Sequence, residues 1–252
     1  QIVPVNIPTS SGYDRAILNI GELSSKGMEL QLNLTPVKTK DFKWDFSFNF
    51  AKNITRVEKL VEGIEMVPIN AHWRISVVAI EGHEYGNLYG YSFMRDAHGN
   101  PVVDTNGLYI RDENPKVLGN YQPDWTGGIH NSFKYKNFSL SFLIDLHIGG
   151  DMYSGSNMYA CGYSGNLPIT LEGREEWYNG TGGYVAEGVD AYGQPNTIPV
   201  DPQKYWSQFS DWTKEMYDPF IYDATYIKLK EIVFRVDLPS SFVQKFRIKE
   251  AS

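Results

Sequence analysis

A run of alternating side chains, FSLSFLIDLH at residues 138–147, constrains the fold more than any other feature of the sequence. Its even positions are all apolar: Phe138, Leu140, Phe142, Ile144 and Leu146. The odd positions hold serine, serine, leucine, aspartate and histidine. A period of two residues predicts a β-strand with one apolar and one polar face. The apolar face must be covered by a second sheet in a soluble domain, or by lipid in a membrane barrel.

Two stretches of the chain show this alternation on both sides of a short basic turn. In residues 27–57 the turn is PVKTKD (36–41), and in residues 123–150 it is KYKN (134–137). Each stretch is therefore predicted to form a β-hairpin. Aromatic side chains lie beside the turns, at Trp44, Tyr135 and Phe138. Such a placement suits a bilayer interface and equally suits the closed end of a soluble β core.

The rest of the chain alternates between extended stretches and long connections. Residues 73–96 are predicted to form two shorter strands joined around EGHEYG (81–86), and further strands are predicted in 223–239 and 242–252, giving about eight in all. Residues 149–221 have no sustained period and are rich in glycine, tyrosine and tryptophan. So long a connection counts against a compact soluble domain, whereas membrane barrels have short turns on one side and long loops on the other. The expected extracellular loops are approximately 58–73, 96–123 and 149–221.

Composition excludes several other classes of protein. The net charge of −7 over 252 residues argues against nucleic-acid binding, which requires a basic face. A single cysteine, Cys161, rules out an internal disulfide and a cysteine-built metal site. The longest apolar runs, such as ISVVAI (75–80), are too short for a membrane-spanning helix.

The two ends of the chain favour a piece of a longer polypeptide. The chain starts at Gln1 without a methionine, and no signal peptide is recognisable in it. It stops at FRIKEAS with a strand-like pattern still running. We therefore expect further sequence on both sides.

Five stretches, in this order along the chain, resemble the TonB-dependent outer-membrane receptors and in particular their SusC/RagA branch. They are NIGELSSKGMELQLNL (19–34), WDFSFNFAKN (44–53), LYGYSF (88–93), LGNYQPDWTGGIHNSFKYKNFSLSF (118–142) and DATYIKLKEIVFRVDLP (223–239). The resemblance implies an all-β fold, an antiparallel up-and-down transmembrane barrel of about 22 strands around a plug domain. Residues 1–252 would be a C-terminal portion of that barrel, without the plug and without the final strand.

The resemblance also implies a function in the bacterial outer membrane. The intact protein would import oligosaccharides or peptides, energised through TonB by its N-terminal part. Its partners would be a SusD-like surface lipoprotein, the surrounding lipid, and a second transporter–lid pair in a homodimer. No cofactor, metal, nucleic acid or enzymatic activity is expected.

Two sets of candidate site residues follow. The polar rows of the hairpins are predicted to face the barrel lumen: Glu29, Gln31, Asn33, Asp45, Ser47, Asn49, Ser141 and Asp145. Sugars stack on aromatic rings and bond to polar neighbours, so the long loop supplies a candidate ligand-binding set. Its members are Arg174, Trp177, Tyr178, Tyr205, Trp206 and Trp212. These aromatic residues could instead pack the loop against itself or against a partner.

Two alternative functions are a soluble or surface-attached carbohydrate-binding module and a β-rich hydrolase. For the hydrolase, the adjacent Glu175 and Glu176 with Asp211 or Asp218 could form a glycosidase pair, although a charged loop surface is the favoured explanation of these residues. DTNG (104–107) faintly resembles a calcium loop but lacks its ligand spacing, so a turn is predicted there. The module would bury the apolar row of 138–147 beneath a second sheet, whereas the transporter would leave it to lipid.

Overall fold

Thirteen strands and three short α-helices form the framework of residues 2–6, 15–19, 21–71 and 75–238, the part of the chain that the computed structural model describes. The strands are β1 Ile2–Asn6, β2 Arg15–Asn19, β3 Gly21–Lys38, β4 Phe42–Leu60, β5 Met66–Ala71, β6 Ser76–Ile80, β7 Asn87–Gly90, β8 Lys116–Asn120, β9 Trp125–Tyr135, β10 Phe138–Ile148, β11 Asp151–Tyr153, β12 Ile221–Asp223 and β13 Tyr226–Val236. The helices are α1 Gly155–Tyr159, α2 Arg174–Tyr178 and α3 Pro202–Ser210. A π-helical turn spans Ala160–Ser164, and 3₁₀ turns span Pro168–Leu171 and Asp218–Phe220.

The chain divides into two compact units. The first comprises Gln1–Ser24, Arg56–Tyr121 and Asp151–Asp223, and the second comprises Ser25–Thr55, Gln122–Gly150 and Ala224–Ser252. Among the residues described, no helix combines the length and the apolar character needed to cross a membrane.

The second unit is built on a five-stranded sheet in the order β13-β10-β9-β4-β3. Both predicted hairpins are confirmed, because β3 neighbours β4 and β9 pairs antiparallel with β10. Tyr135 is paired with Phe42 on one side and with Phe138 on the other, so both short turns lie at the same end of the sheet. The longer connections leave β9 and β10 at the opposite end.

One residue of β13 interrupts the alternation. Leu143 of β10 pairs with Glu231 and Ile144 pairs with Leu229, so Lys230 is an extra residue in a β-bulge. Before the bulge the apolar residues of β13 have odd numbers, Ile227 and Leu229. After it they have even numbers, Ile232 and Phe234. Because the bulge absorbs one residue, both groups remain on the same face as the apolar row of β10.

The apolar face of this sheet is widely exposed. Met28, Ile227 and Phe234 have 61%, 69% and 65% of their surface exposed. Within the described residues, the three buried hydrophobic clusters contain only side chains of the first unit. One polar side chain, Asn131, lies on this face, and its amide oxygen accepts a hydrogen bond of 3.0 Å from Trp44 Nε1. The sheet therefore has no protein core of its own among these residues.

The first unit has conventional buried cores. A four-stranded sheet in the order β5-β6-β7-β8 contributes Val67, Ala79 and Leu88, and α3 contributes Tyr205 and Phe209. The largest cluster brings together rings from three separate stretches of sequence. Its members are Phe93, Val103, Tyr109, Met158, Cys161, Ala186, Tyr205, Trp206, Phe209, Met216 and Phe220.

The structure corrects the description of the long connections as irregular. Residues 149–221 contain all three α-helices, and the expected loops 58–73 and 96–123 contain β5 and β8. The two strands expected within 73–96 are present as β6 and β7, and the strand expected within 223–239 is present as β13. The last expected strand, 242–252, lies outside the described residues.

Candidate functional site

A cavity of about 400 Å³ opens in the first unit between α2, α3 and the π-helical turn. Its lining includes Tyr163, Arg174, Trp177, Tyr178, Asp201 and Trp206. Small-molecule sites usually combine apolar rings with a few fixed polar groups in a volume of about 300–1,000 Å³. The cavity lies within this range of volumes and combines both kinds of group.

The wall formed by α3 follows from a capping signal in the sequence. The Asp201 carboxylate accepts the backbone N–H of Gln203 at 2.9 Å, and Pro202 occupies the first helical position. Both choices favour helix initiation. The helix then buries Tyr205 and Phe209, which are four residues apart and lie on one face.

Arg174 connects two segments of the cavity wall by hydrogen bonds. Its Nε donates to the carbonyl oxygen of Thr170 at 2.7 Å, and its Nη2 donates to Thr170 Oγ1 at 2.7 Å and to the carbonyl oxygen of Gly165. Thr170 is fully buried, and its hydroxyl also donates to Gly165. The guanidinium group is thus held by the protein's own backbone, and its charge lies at the edge of the cavity.

Two glycines allow the close approaches on which this wall depends. A Cβ at Gly162 would lie 2.5 Å from the Cβ of Ser210, so glycine lets α3 pack against the π-helical turn. Gly173 precedes α2 with a φ of +75°, a conformation that other residues adopt at a cost. The cavity is therefore shaped by backbone geometry as well as by side chains.

The cavity brings together four of the six candidate ligand-binding residues. Arg174, Trp177, Tyr178 and Trp206 line it, whereas Tyr205 and Trp212 do not. Trp206 is only 6% exposed and Tyr205 only 5%, so both rings pack in the core of the first unit, which is the alternative stated for this set. They are buried because α3 turns them toward the core. Trp212 is 73% exposed and lies after the helix ends.

Tyr163 and Asp201 are among the lining residues that were not predicted from the sequence. Asp201 could have been found, because an Asp-Pro pair before an apolar i, i+4 pattern indicates the start of a helix. Tyr163 could not have been found in this way, since its position depends on the π-helical turn.

Three tyrosines form a neutral polar group within the core of the first unit. The rings of Tyr184 and Tyr205 have centroids 4.1 Å apart, and Tyr109 is 5.9 Å from Tyr205. Burial raises the pKa of all three phenols above the ordinary value. These hydroxyls therefore stay protonated at physiological pH and stabilise the site without offering a base.

The groups considered for catalysis have structural partners. Asp218 accepts hydrogen bonds from Ser92 Oγ at 2.7 Å and from the backbone N–H of Phe93 at 3.2 Å. Asp211 accepts from the backbone N–H of Thr213 at 2.9 Å. Glu175 and Glu176 lie in the first turn of α2, where carboxylates are favoured.

The DTNG segment is a turn, as predicted. The Asp104 carboxylate accepts the N–H groups of Asn106 and Leu108 at 2.8 and 3.0 Å, and Gly107 has a φ of +76°. The carboxylate is thus occupied by its own backbone. In the described part of the chain, no group of three or more His, Cys, Asp or Glu side chains is arranged to hold a metal ion.

In the second unit, the strand register supports one common polar face. Asp45 of β4, Ser132 of β9 and Ser141 of β10 form one row across three paired strands. Asn49, Gly128 and Asp145 form a second row of the same kind. Thr35 Oγ1 of β3 donates to the Asp45 carboxylate at 2.7 Å, so the odd-numbered side chains of β3 lie on the same face of the sheet as Asp45. The eight residues predicted to face a lumen therefore share one side of the sheet by register and alternation.

Comparison with known proteins identifies relatives of the whole chain. It is 27% identical to the TonB-dependent receptor P3 of Formosa agariphila over an alignment of 267 residues. The alignment covers 97% of this chain and 24% of that protein. The chain is 30% identical over 163 residues to the TonB-dependent receptor SusC of Bacteroides thetaiotaomicron, which covers 59% of this chain and 16% of SusC. No family model matches.

Solved structures agree on the fold. The RagAB peptide importer in its closed-closed state superimposes with a TM-score of 0.62 at 17% identity, over 96% of this chain and 26% of that chain. The open-open state of the same importer gives a TM-score of 0.63. These findings match the SusC/RagA family of TonB-dependent receptors. The resemblance drawn from the sequence motifs and the all-β barrel fold are thereby confirmed.

The matches cover only part of the length of each relative. It spans about a quarter of the length of receptor P3 and of the RagAB chain. The relatives are receptors and importers rather than enzymes, which agrees with the expectation that the chain has no catalytic role.

Proposed function

We propose that the chain forms part of the wall and outer loops of an outer-membrane transporter that imports oligosaccharides or peptides. The observation that carries this proposal is the exposed apolar face of the five-stranded sheet. Its side chains alternate with a polar face and have no protein core beneath them in the described residues. Lipid is the medium that such a face requires, and the polar face would then line a water-filled lumen.

The energy source and the partners are inferred from the relatives. Receptor P3 and SusC are TonB-dependent receptors by name, and RagAB is described as a peptide importer. The intact protein would draw energy through TonB and work with a SusD-like lipoprotein. Because the chain matches only 24% of receptor P3 and 16% of SusC, contact with TonB would be made elsewhere in the receptor.

The outer strands of the sheet fit this larger assembly. In the described residues, β3 and β13 each have one neighbour in the sheet. An unpaired strand edge in lipid leaves backbone N–H and C=O groups unsatisfied, which costs several kcal/mol per group. Further strands of the same barrel would satisfy both edges.

The cavity is the proposed contact for the solute. Residues 149–221 would lie outside the cell, at the end of the barrel opposite the turns at 36–41 and 134–137. Trp177 and Tyr178 offer exposed rings, and Asp201 and Gln203 offer polar groups beside them. That combination suits the apolar face and polar edge of a sugar, or the side chain of a peptide.

Substitution of Trp177 by alanine should weaken solute capture about 2- to 10-fold, since an aromatic contact contributes about 0.5–1.5 kcal/mol beyond its buried area. The measurement is uptake by cells that express the full-length receptor, supplied with a panel of labelled neutral oligosaccharides or with labelled tryptic peptides of casein. The amount of receptor in the outer membrane is quantified in parallel.

Trp212→Ala is the matched control, because Trp212 lies in the same stretch but outside the cavity. It should leave uptake unchanged. If both variants import at the normal rate, or if both lose the same fraction of uptake, the cavity is not the site of solute contact.

A soluble carbohydrate-binding module would also use a cavity of this kind. Such a module should cover the apolar row of β10 with a second sheet, yet Phe138 and Leu140 are half-exposed. The exposed sheet face of the second unit therefore favours the transporter.

A further inference from the structure

The end of the sheet that carries the two short turns is strongly basic. The backbone N–H of Lys136 donates to the carbonyl oxygen of Asp41 at 2.8 Å, so the turns at 39–41 and 136–137 lie side by side. Five lysines lie in and beside these turns: Lys38, Lys40, Lys43, Lys134 and Lys136. This basic rim contrasts with the net charge of −7 of the whole chain.

Three of these lysines have no salt bridge within the described residues. Lys43 pairs with Asp45 at 2.7 Å, and Lys134 pairs with Asp237 at 3.5 Å. The other three lysines of the rim are exposed, and none has an acidic partner within 4.0 Å among the described residues: Lys38, Lys40 and Lys136. The carboxylate of Asp41 is the acidic group within the same turn.

A tier of aromatic rings lies directly beside the rim on the apolar face. Phe42, Tyr135 and Phe138 are in register across three adjacent strands at this end. The Nζ of Lys136 lies 5.4 Å from the centroid of the Tyr135 ring. In the next tier, the rings of Trp44 and Phe133 stack with centroids 5.7 Å apart.

We propose that this rim binds the anionic head group of a membrane phospholipid. The aromatic tiers suit the boundary between acyl chains and head groups, where a ring is half buried. The three unpaired ammonium groups lie just beyond that boundary, at the depth of a phosphate. Charge complementarity favours an anionic lipid, since each basic residue near an anionic surface contributes about a fivefold gain in binding.

This inference rests on the proposed function, because it requires the sheet to lie in a bilayer. It adds a preference for one class of lipid in the leaflet that contacts the short turns. A preference of this kind would be strongest at low salt, since exposed charges are screened over about 10 Å at 0.1 M ionic strength.

The test uses the full-length receptor in lipid nanodiscs of phosphatidylcholine that contain a minor fraction of phosphatidylglycerol. Native mass spectrometry of the released receptor then measures which lipids remain bound. The wild-type protein should retain phosphatidylglycerol preferentially. The triple variant Lys38→Gln, Lys40→Gln and Lys136→Gln should lose at least a factor of ten of that preference.

A second triple variant, Lys59→Gln, Lys204→Gln and Lys214→Gln, removes the same charge from the first unit and should keep the preference. Equal retention of both lipids by the wild type, or equal loss in both triple variants, would overturn the proposal. Release of the phosphatidylglycerol by inorganic phosphate, but not by chloride at the same ionic strength, would also overturn it, because the rim would then be a site for free phosphate. Failure of the receptor to enter nanodiscs would instead contradict the proposed function.

Discussion

Replacing Phe209 with alanine should lower the free energy of opening of residues 151–223 by about 3–5 kcal/mol. Phe209 is fully buried in α3 and lies at the centre of an aromatic cluster. The centroids of five neighbouring rings lie between 5.5 and 6.3 Å from its own: Phe93, Tyr109, Tyr205, Trp206 and Phe220. Because so many rings share this contact, alanine would leave a cavity that the surroundings could refill only in part.

Amide hydrogen exchange in the full-length receptor measures this change, since exchange of the helical backbone requires local opening. Amides of α3 should exchange faster by about two to four orders of magnitude in the variant. Trp212→Ala removes a larger ring from the same stretch, but that ring is largely exposed, so its effect should stay within about 0.5 kcal/mol. Similar exchange in the two variants would show that α3 is not the centre of the core.

Placing an arginine at Ile144 should destabilise the receptor in a bilayer by about 2–4 kcal/mol. Ile144 is near the middle of β10, opposite Ile129, which in turn lies opposite Phe48. On the proposed orientation this row faces lipid near the bilayer midplane, where a charge is costly. Urea unfolding of the full-length receptor in lipid vesicles would measure the loss.

Leu143→Arg is a closely matched control because it changes an apolar residue of similar size at the adjacent position. Leu143 lies on the polar face, opposite His130 and Glu231, where an arginine would contact water or a carboxylate. We expect less than about 1 kcal/mol of destabilisation there. Equal losses at the two positions would contradict the assignment of the faces. Leu140→Arg and Ser141→Arg repeat the comparison nearer the short turn.

The hairpins were predictable because their alternation is local. The pattern around 36–41 and 134–137 determines strand, turn and face without reference to the rest of the chain. The bulge at Lys230 was not predicted, since its position depends on the register with β10. Once that register is known, the change of parity between Leu229 and Ile232 has a direct explanation.

Helix α3 was missed because its aromatic residues indicated a surface for ligands. Tyr205 and Trp206 carry the residue types of a sugar site, and composition alone does not distinguish an exposed ring from a buried one. The i, i+4 pair of Tyr205 and Phe209 after a capped start does indicate a buried helical face. The neighbours that cover this face, Phe93 and Tyr109, are about a hundred residues away in sequence, so only the tertiary structure reveals them.

The bulge at Lys230 has a consequence for how this strand can change in length during evolution. Loss of one residue elsewhere in β13 would move every following side chain to the opposite face of the sheet, which on the proposed orientation would place charges in lipid and rings in water. Loss of Lys230 would instead leave an uninterrupted alternation from Ile227 to Phe234. Natural relatives should therefore show single-residue insertions and deletions at this position of the strand and few at its flanks.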